Sequence, residues 1–252
     1  MDFLDKIISE KEIEVNQMPE EQILPLRKTY SFYQFVKEHP EKIHIIGEVK
    51  RASPSKGDIN LEVNVVEQAK DYQQAGVSAI SVLTDTVFFK GSIEDLKQVT
   101  KEVDIPVLCK DFIIDKKQLI RARNAGATIV LLIVAALTKE KLAELYKIAT
   151  SLDLEVLVEV HDEIELTIAE ALPAKLIGVN NRNLKTFDVS LSVSQKLAQK
   201  QQTQAVYISE SGFSTSKQVK LIKENYQAVL VGESLMRQGN PKEKVQELQV
   251  QR

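Results

Sequence analysis

The amino-acid sequence predicts an α/β fold, a single-domain (β/α)8 TIM barrel that follows an N-terminal helical extension. From Ile43 onward, a short apolar strand, a loop and an amphipathic helix recur eight times. Strands such as TIVLLIV, residues 128–134, are apolar throughout, as parallel strands buried on both faces must be. Eight units in about 200 residues match this barrel in number and size, whereas an open doubly wound sheet usually has about five or six strands.

The chain is expected to consist of an extension, residues 1–42, packed on a barrel formed by residues 43–252. The first helix of the extension has one apolar stripe, made of Phe3, Leu4, Ile7 and Ile8. A second short helix is predicted near residues 31–37. Because the stripe needs an apolar partner, we expect both helices to pack across or beside the catalytic end of the barrel and to contribute to substrate binding.

The eight units are placed by hydrophobic periodicity and by turn residues. The strands are predicted near residues 43–49, 78–83, 105–109, 128–133, 154–160, 175–180, 205–209 and 226–231. The helices are predicted near residues 61–75, 92–102, 115–125, 138–151, 161–171, 188–200, 214–224 and 234–248. Gly76 and Gly126 are expected to end two of these helices, and Pro106 is expected to open a strand.

Composition excludes several classes of function. The net charge is −3, and the 33 basic residues are interleaved with 36 acidic ones, which disfavours nucleic acid or an anionic membrane as a partner. The one cysteine, Cys109, rules out an internal disulfide and fits a reducing compartment. The three histidines show no metal-ligand spacing, and no apolar run is long enough to span a bilayer. We therefore expect a cytoplasmic protein without a metal, either a monomer or a weak homo-oligomer.

The C-terminal ends of the strands, where a barrel enzyme has its active site, carry polar residues. Glu48 and Lys50 end the first strand two positions apart, so their side chains point to the same side. Taken alone, this strand and the turn at Ser53–Asp58 fit a catalytic edge and a salt-bridged strand end equally well. Six of the eight ends carry polar side chains: Glu48 with Lys50, Thr84-Asp85, Lys110, Glu159, Asn180 and Glu210-Ser211. Charges in a barrel mouth are costly unless they are paired or used, which favours an enzyme over a structural barrel.

Two loops predict a phosphate site. Glu210-Ser211-Gly212 follows the seventh strand, and Gly232-Glu233-Ser234 follows the eighth strand and opens a helix. Glycine lets backbone N–H groups approach an anion, and these two loops are the usual phosphate position of this barrel. Ser53 is expected to close the site from the first loop.

An apolar wall and a set of ionisable residues complete the predicted site. The wall consists of Phe88, Phe89, Phe112, Leu131 and Leu184; it predicts a pocket for a flat apolar group, with simple loop packing as the alternative. The ionisable set consists of Glu48, Lys50, Lys110 and Glu159, together with Asn180 and Arg182. Two lysines that face two glutamates in a partly dry cavity can divide acid and base roles. Arg182 offers a planar fork for a substrate carboxylate. Cys109 is expected to point into the helix layer, and His161 is expected to cap or flank the fifth barrel helix.

Seven motifs, which occur in order at the strand ends, closely resemble the indole-3-glycerol-phosphate synthase family of tryptophan biosynthesis. They are EVKRASPSKG, SVLTDTVFFKGS, PVLCKDFIID, VLVEVH, IGVNNRNL, ISESGF and VGESLM. The likeness covers residues 2–240, including the extension. It implies ring closure of 1-(2-carboxyphenylamino)-1-deoxyribulose 5-phosphate, with release of carbon dioxide and water and without a cofactor.

The resemblance also implies a role for each site residue. The phosphate-binding set is Ser53, Ser211, Gly212, Gly232, Glu233 and Ser234. The other substrate-binding residues are Phe89, Phe112, Leu131 and Leu184 for the ring, Arg182 for the carboxylate, and Glu210. Lys110 is implied as the general acid on the ketone or its hydroxyl; Glu159, Glu48 and Lys50 are implied in proton transfer, and Asn180 belongs to the catalytic set. Ring attack develops an alkoxide that needs a proton donor, and dehydration needs an acid for the hydroxyl and a base for the proton of the ring nitrogen.

Three other functions fit the same barrel. One is a Schiff-base aldolase with Lys110 as the nucleophile. The second is a sugar-phosphate isomerase with a carboxylate base and no apolar wall, and the third is a non-catalytic barrel that binds a phosphorylated ligand. Glu48 and Lys50, the Phe89 and Phe112 wall and Arg182 favour the synthase over the isomerase. The presence of all four ionisable groups disfavours the non-catalytic binding barrel.

Overall fold

The structure is a computed structural model that describes residues 2–25, 30–54, 57–237 and 240–252. The strands in these ranges are β1 (His44–Val49), β2 (Ala52–Ser53), β3 (Gly57–Asp58), β4 (Ala79–Leu83), β5 (Val107–Lys110), β6 (Ile129–Ile133), β7 (Glu155–Val160), β8 (Leu176–Asn180), β9 (Val206–Glu210) and β10 (Ala228–Val231). The helices are α1 (Phe3–Gln17), α2 (Phe32–Glu38), α3 (Val65–Ala75), α4 (Ile93–Glu102), α5 (Lys116–Asn124), α6 (Lys139–Ser151), α7 (Glu163–Glu170), α8 (Ser192–Ala198), α9 (Ser216–Lys220), α10 (Glu233–Met236) and α11 (Pro241–Leu248). None of these helices is long and apolar enough to cross a membrane.

Eight parallel strands close into the barrel that the repeating pattern predicts. Their order around the barrel is β1-β10-β9-β8-β7-β6-β5-β4, and β4 pairs back to β1. The register places Ile133 opposite Glu159, and Asn180 opposite Glu210. The polar ends of neighbouring strands therefore meet at one end of the barrel, and the prediction of a (β/α)8 TIM barrel is confirmed.

Alternation along each strand divides the apolar residues between an outer and an inner core. In β1, Ile45 packs outward against the helices, whereas Ile46 points into the barrel. Because Glu48 lies two residues after Ile46, it also points inward. Cys109 is buried in the outer core, as predicted, so its neighbour Lys110 faces the inside.

The extension contacts both ends of the barrel. α1 lies at the catalytic end, where Ile7 packs on the inner core, as expected. α2 lies at the opposite end, where Phe32 and Val36 are 0% and 2% exposed in that core. Glu155, the first residue of β7, accepts hydrogen bonds from Ser31 Oγ at 2.6 Å and from the backbone N–H of Phe32 at 2.8 Å. The expectation that both helices lie at the catalytic end is therefore wrong for α2.

The position of α2 has a physical reason. The inward residues near the strand starts include small side chains, among them Ala79 and Ala228, which belong to the same core as Phe32. Such a floor exposes apolar surface unless another element covers it. Burying one large apolar side chain there stabilises the fold by about 1.5–3 kcal/mol. The second helix therefore closes the floor while the first helix borders the active end.

Several predicted boundaries shift because capping residues determine them. Asn64 accepts hydrogen bonds from the backbone N–H groups of Val66 and Glu67, so α3 begins after it rather than near residue 61. The preceding loop contains the antiparallel pair β2 and β3 instead. The last predicted helix is divided into α10 and α11, and Asn240 caps α11. The predicted turn at Ser53–Asp58 includes residues 55–56, and the predicted last helix includes residues 238–239; these four residues lie outside the described ranges.

Candidate active site

A cavity of about 950 Å³ opens at the C-terminal ends of the barrel strands. Every residue that the sequence analysis placed in the catalytic, substrate-binding or phosphate-binding set lines it. They are Glu48, Lys50, Ser53, Phe89, Lys110, Phe112, Leu131, Glu159, Asn180, Arg182, Leu184, Glu210, Ser211, Gly212, Gly232, Glu233 and Ser234. Every second residue of a strand points into the barrel, and all eight strands end at the same end of it. Residues that are far apart in the sequence therefore meet in one cavity.

Lys110 lies at the centre of the charged part of this cavity. Its Nζ is 2.7 Å from Glu210 Oε2 and 3.5 Å from Glu159 Oε2. Burial alone would lower the pKa of Lys110, but the carboxylates of Glu210, Glu159 and Glu48 raise it well above its usual range. The side chain is therefore an ammonium ion at neutral pH, able to donate a proton and unable to act as a nucleophile.

The pKa values of the two carboxylates beside Lys110 are displaced in opposite directions. Burial raises the pKa of Glu210, and repulsion from Glu159 and Glu48 raises it further. The attraction of Lys110 opposes these effects but is smaller than their sum. Burial also disfavours the ionised form of Glu159, but Lys110, His161 and the Asn180 amide outweigh it and lower its pKa. Glu159 has more donors around it, since Asn180 Nδ2 donates to Oε1 at 3.2 Å and His161 Nε2 lies 3.3 Å from the same oxygen. Two carboxylates whose environments separate their pKa values can divide acid and base work.

His161 lies behind Glu159 at the start of α7. Asp162 is the N-cap residue of that helix, so the expectation that His161 flanks the helix is confirmed. Its Nδ1 lies 3.0 Å from Glu165 Oε2, and its backbone N–H donates to the same carboxylate at 2.8 Å. Burial would lower the pKa of His161, but Glu159 and Glu165 raise it to about 10. The contact with Glu159 is a feature that the sequence analysis missed.

Glu48 and Lys50 form a second ion pair in the cavity. Lys50 Nζ donates to Glu48 Oε1 at 2.5 Å. Burial alone would raise the pKa of Glu48, but the positive charges of Lys50 and Lys110 outweigh it and lower that pKa. A Cβ atom added at Gly232 would lie 2.5 Å from Glu48 Oε1 and 2.9 Å from Lys50 Nζ. The Lys50 ammonium therefore lies against the loop after β10, beside the predicted phosphate site, as well as at the end of its own strand.

The predicted phosphate loops adopt an unusual backbone. Ser211 and Gly212 have φ angles of 68° and 92°, in the left-handed region that a β-carbon disfavours. Ser234 Oγ donates to the backbone carbonyl of Phe213 at 2.8 Å, which ties the loop after β10 to the loop after β9. Asn180 Oδ1 accepts from Ser211 Oγ at 3.0 Å. Asn180 thus connects the predicted phosphate loop at Ser211 to Glu159.

The apolar wall is assembled from loops and from the extension. The rings of Phe89 and Phe112 have centroids 6.0 Å apart, tilted by 36°. Phe88 does not line the cavity; its ring packs edge-on against Phe3 at 5.4 Å. α1 contributes Phe3, Leu4 and Ile7 to the lining, which the helical stripe of the sequence indicated. Arg182 lines the cavity near this wall and donates from Nη1 to the carbonyl of Phe187 at 3.1 Å.

Comparisons with known proteins identify the family. A family model described as indole-3-glycerol phosphate synthase matches residues 4–248. The chain belongs to the indole-3-glycerol phosphate synthase family. Similar proteins include the indole-3-glycerol phosphate synthases of Listeria welshimeri serovar 6b and Listeria monocytogenes serovar 1/2a, each 60% identical over 252 residues that cover 100% of both chains. The indole-3-glycerol phosphate synthase of Lactococcus lactis subsp. cremoris is 54% identical over 99% of this chain and 96% of its own.

A solved structure shows the same fold at low identity. The crystal structure of 3-hexulose-6-phosphate synthase matches with a TM-score of 0.64 and 17% identity, covering 82% of this chain and 98% of that chain. At this identity the likeness extends to the barrel alone. The membership of the indole-3-glycerol phosphate synthase family therefore rests on the full-length relatives and on the family model.

One residue of this indole-3-glycerol phosphate synthase site has an ion-pair partner that the sequence analysis did not identify. Glu210 was assigned to substrate binding beside the phosphate loop, but it is 1% exposed and paired with Lys110. The sequence indicated that Glu210 points into the barrel, because it lies two residues after Ile208, an inward-facing residue of β9. Gly178 makes room for it, since a Cβ atom there would lie 2.1 Å from Glu210 Oε1.

Proposed function

We propose that this protein is a carboxy-lyase that converts 1-(2-carboxyphenylamino)-1-deoxyribulose 5-phosphate to indole-3-glycerol phosphate. The observation that carries the proposal is the Lys110 ammonium beside Glu210 and Glu159 in a cavity that also holds the two phosphate loops and the paired rings of Phe89 and Phe112. Membership of the family supports the same reaction. Each part of this substrate has a chemical match in the cavity.

The substrate is proposed to bind with its phosphate against the backbone N–H groups of Gly212 and the loop Gly232-Glu233-Ser234. Ser53 and Ser211 contribute hydroxyl groups, and the Lys50 ammonium adds positive charge beside Gly232. The anthranilate ring packs against the apolar wall formed by Phe89 and Phe112 together with Leu131 and Leu184. Its carboxylate meets Arg182, whose guanidinium lines the same cavity.

The chemistry begins with bond formation between two carbons of the substrate. The aromatic carbon that bears the carboxylate attacks the ketone carbon, and the electron pair of the ketone π bond moves to its oxygen. Lys110 delivers a proton to that oxygen as a general acid. The bond to the carboxylate then breaks, its electron pair restores the aromatic ring, and carbon dioxide leaves.

Dehydration completes the reaction. The new hydroxyl group takes a second proton and leaves as water, while a carboxylate base accepts the proton that the five-membered ring loses. Glu159 is placed in the base role because Lys110, His161 and Asn180 hold its carboxylate ionised and so able to accept a proton, and Glu48 with Lys50 serves in proton transfer. The substrate carboxylate enters ionised, so the complete reaction takes up one proton for each molecule of carbon dioxide and water released. Asn180 holds Glu159 in place.

The proposal also covers the oligomeric state of the protein, its cellular location and the two parts of its chain. We propose a monomer or weak homo-oligomer. A cytoplasmic location fits a chain whose one cysteine, Cys109, is buried and unpaired. Residues 1–42 and 43–252 are proposed to fold as one unit, an extension and a barrel. The inner core supports this view, because residues of α1 and α2 pack in it.

The test is incubation of the purified protein with the carboxyphenylamino-deoxyribulose phosphate while indole fluorescence is followed. Wild-type protein is expected to give fluorescence and to release one carbon dioxide for each indole formed. The Lys110→Met variant is the control, since it keeps the cavity and removes the acid. Absence of indole from the wild-type protein, with the substrate cleaved, isomerised or only bound, would overturn the proposal in favour of an aldolase, an isomerase or a binding protein.

A further inference from the structure

Lys11 is a buried cation on the extension. It lies on the face of α1 that also buries Leu4, Ile7 and Val15, and it is 2% exposed. Lysine is rarely buried to this degree unless it is paired, because removing an ammonium ion from water is costly. The mechanism proposed above does not use it.

Three carboxylates surround the Lys11 ammonium. Nζ lies 2.8 Å from Glu14 Oε2, 2.9 Å from Asp85 Oδ2 and 2.8 Å from Asp111 Oδ1. Lys11 Nζ donates a hydrogen bond to Glu14 Oε2, and the two aspartate oxygens form close ion pairs with the same ammonium. Asp85 and Asp111 are themselves buried, at 1% and 3% exposure, whereas Glu14 is partly exposed and also pairs with Arg121 at 2.7 Å.

The two buried aspartates hold the loops that carry the aromatic wall. Asp85 Oδ1 accepts hydrogen bonds from the backbone N–H groups of Phe88 at 2.7 Å and Phe89 at 3.1 Å. Asp111 Oδ1 accepts from the backbone N–H of Phe112 at 2.8 Å, and its Oδ2 accepts from Thr84 Oγ1 at 2.6 Å. Asp111 also directly follows Lys110 in the chain.

We propose that Lys11 is a positioning residue for the ring-binding end of the cavity. By binding Asp85 and Asp111 together, it sets the separation of Phe89 and Phe112, which receive the flat ring of the substrate. The proposal deepens the proposed function, on which the identity of that ring rests. It assigns to the extension a role in substrate recognition that acts through a buried ion cluster.

The structure limits where the effect of Lys11 is felt. Phe89 and Phe112 follow β4 and β5, whereas the phosphate loops follow β9 and β10. The Lys11 cluster has no member in the phosphate loops among the contacts of the described residues. Loss of Lys11 is therefore expected to weaken ring binding and to leave phosphate binding unchanged.

The experiment compares two probes on three variants of the full chain. Anthranilate reports on the ring end, and inorganic phosphate reports on the phosphate loops. Lys11→Met is expected to weaken anthranilate binding and to raise KM by about tenfold, the worth of one or two aromatic contacts. Phosphate affinity should be unchanged and kcat should change by less than about threefold. Lys11→Arg should restore part of the loss, and Lys6→Met, an exposed position on the same helix, should behave as wild type.

The outcomes separate a positioning role from a structural one. If Lys11→Met lowers thermal stability but binds anthranilate as tightly as wild type, the proposal is overturned. Because unpaired buried aspartates can prevent folding, Asp85→Asn provides a second test; it keeps an acceptor for Phe88 and Phe89 and removes the charge that faces Lys11. Unchanged anthranilate affinity in Asp85→Asn would also overturn the proposal. Failure of the proposed function would appear separately, as wild-type protein that forms no indole.

Discussion

Glu210 Oε2 lies 2.7 Å from Lys110 Nζ, while the other oxygen of the same carboxylate is buried without a hydrogen-bond partner among the described residues. Burial raises the pKa of Glu210, so this carboxylate is more easily protonated than an exposed one. It lies directly beside the Lys110 ammonium. Glu159, 3.5 Å away on the other side, is held ionised. In the proposed mechanism, Lys110 supplies the acid and Glu159 the base that ring closure and dehydration need.

The first prediction concerns Lys110. Lys110→Met is expected to lower kcat by at least about a hundredfold, the usual contribution of a general acid, with a much smaller change in substrate affinity. The reason is that the surrounding carboxylates keep the side chain charged. Borohydride added during turnover of the wild-type protein should leave its mass unchanged. A reduced adduct on Lys110 would contradict the acid role and indicate an aldolase.

The second prediction concerns the pH dependence set by His161. In the wild-type protein, this imidazolium helps to hold Glu159 ionised. His161→Gln removes that charge, so the pKa of Glu159 should rise and the acidic limb of kcat/KM should move to higher pH. His39→Gln, at a position far from the cavity, is the control. An acidic limb that does not move would show that Glu159 is not the group titrated.

The same substitution has a consequence for stability, with a defined sign. The pKa of His161 is raised from 6.5 to about 10 on folding, so its stabilising contribution is fully present below pH 6.5. That contribution is lost as the pH rises through about 10. The difference in unfolding free energy between the wild-type protein and His161→Gln should therefore be largest in mildly acidic solution and should shrink in alkaline solution. Denaturant titrations at several pH values measure it.

The periodicity of the sequence was sufficient to predict the barrel and most of the residues that line its cavity. Once the inward parity of a strand is known from residues such as Ile46, the direction of Glu48 follows, and the strand ends bring the ionisable groups together. Distances were not predictable in this way, because they depend on register and on side-chain packing. The pairing of Lys110 with Glu210 rather than with Glu159 alone is an example.

The extension shows where sequence reasoning stops. An apolar stripe such as that of α1 indicates that a partner exists, but it does not say which end of the barrel supplies it, so the place of α2 was not predictable. Lys11 lies four residues after Ile7, on the buried face of α1. That spacing was a signal, but a lysine on a helix is usually solvated, and its aspartate partners are more than 70 positions away in the sequence.

A further prediction tests the phosphate loops. Gly212 has a φ of 92°, and a Cβ atom there would lie 2.9 Å from Val189 Cγ1, so Gly212→Ala strains the backbone and requires Val189 or the loop to move. KM should rise far more than kcat falls, because phosphate binding is largely uniform along the reaction. Gly76→Ala is a matched control, with a φ of 90° and no close contact, at a helix end away from the cavity. Sulfate soaked into crystals should bind at Gly212 and Gly232; an anion elsewhere and an unchanged KM would contradict this assignment.

The last prediction separates the two helices of the extension. Phe32 on α2 is fully buried in the floor of the barrel, so Phe32→Ala leaves a cavity there and should lower the free energy of unfolding by about 3–5 kcal/mol. Because α2 lies at the end opposite the cavity, kcat and KM should stay at wild-type values at temperatures where the variant is folded. Phe35→Ala on the same helix is the control. Phe35 is 37% exposed, so this substitution should lower the free energy of unfolding much less. Urea titration and steady-state kinetics measure the two quantities, and a raised KM in Phe32→Ala would mean that the floor of the barrel is coupled to substrate binding.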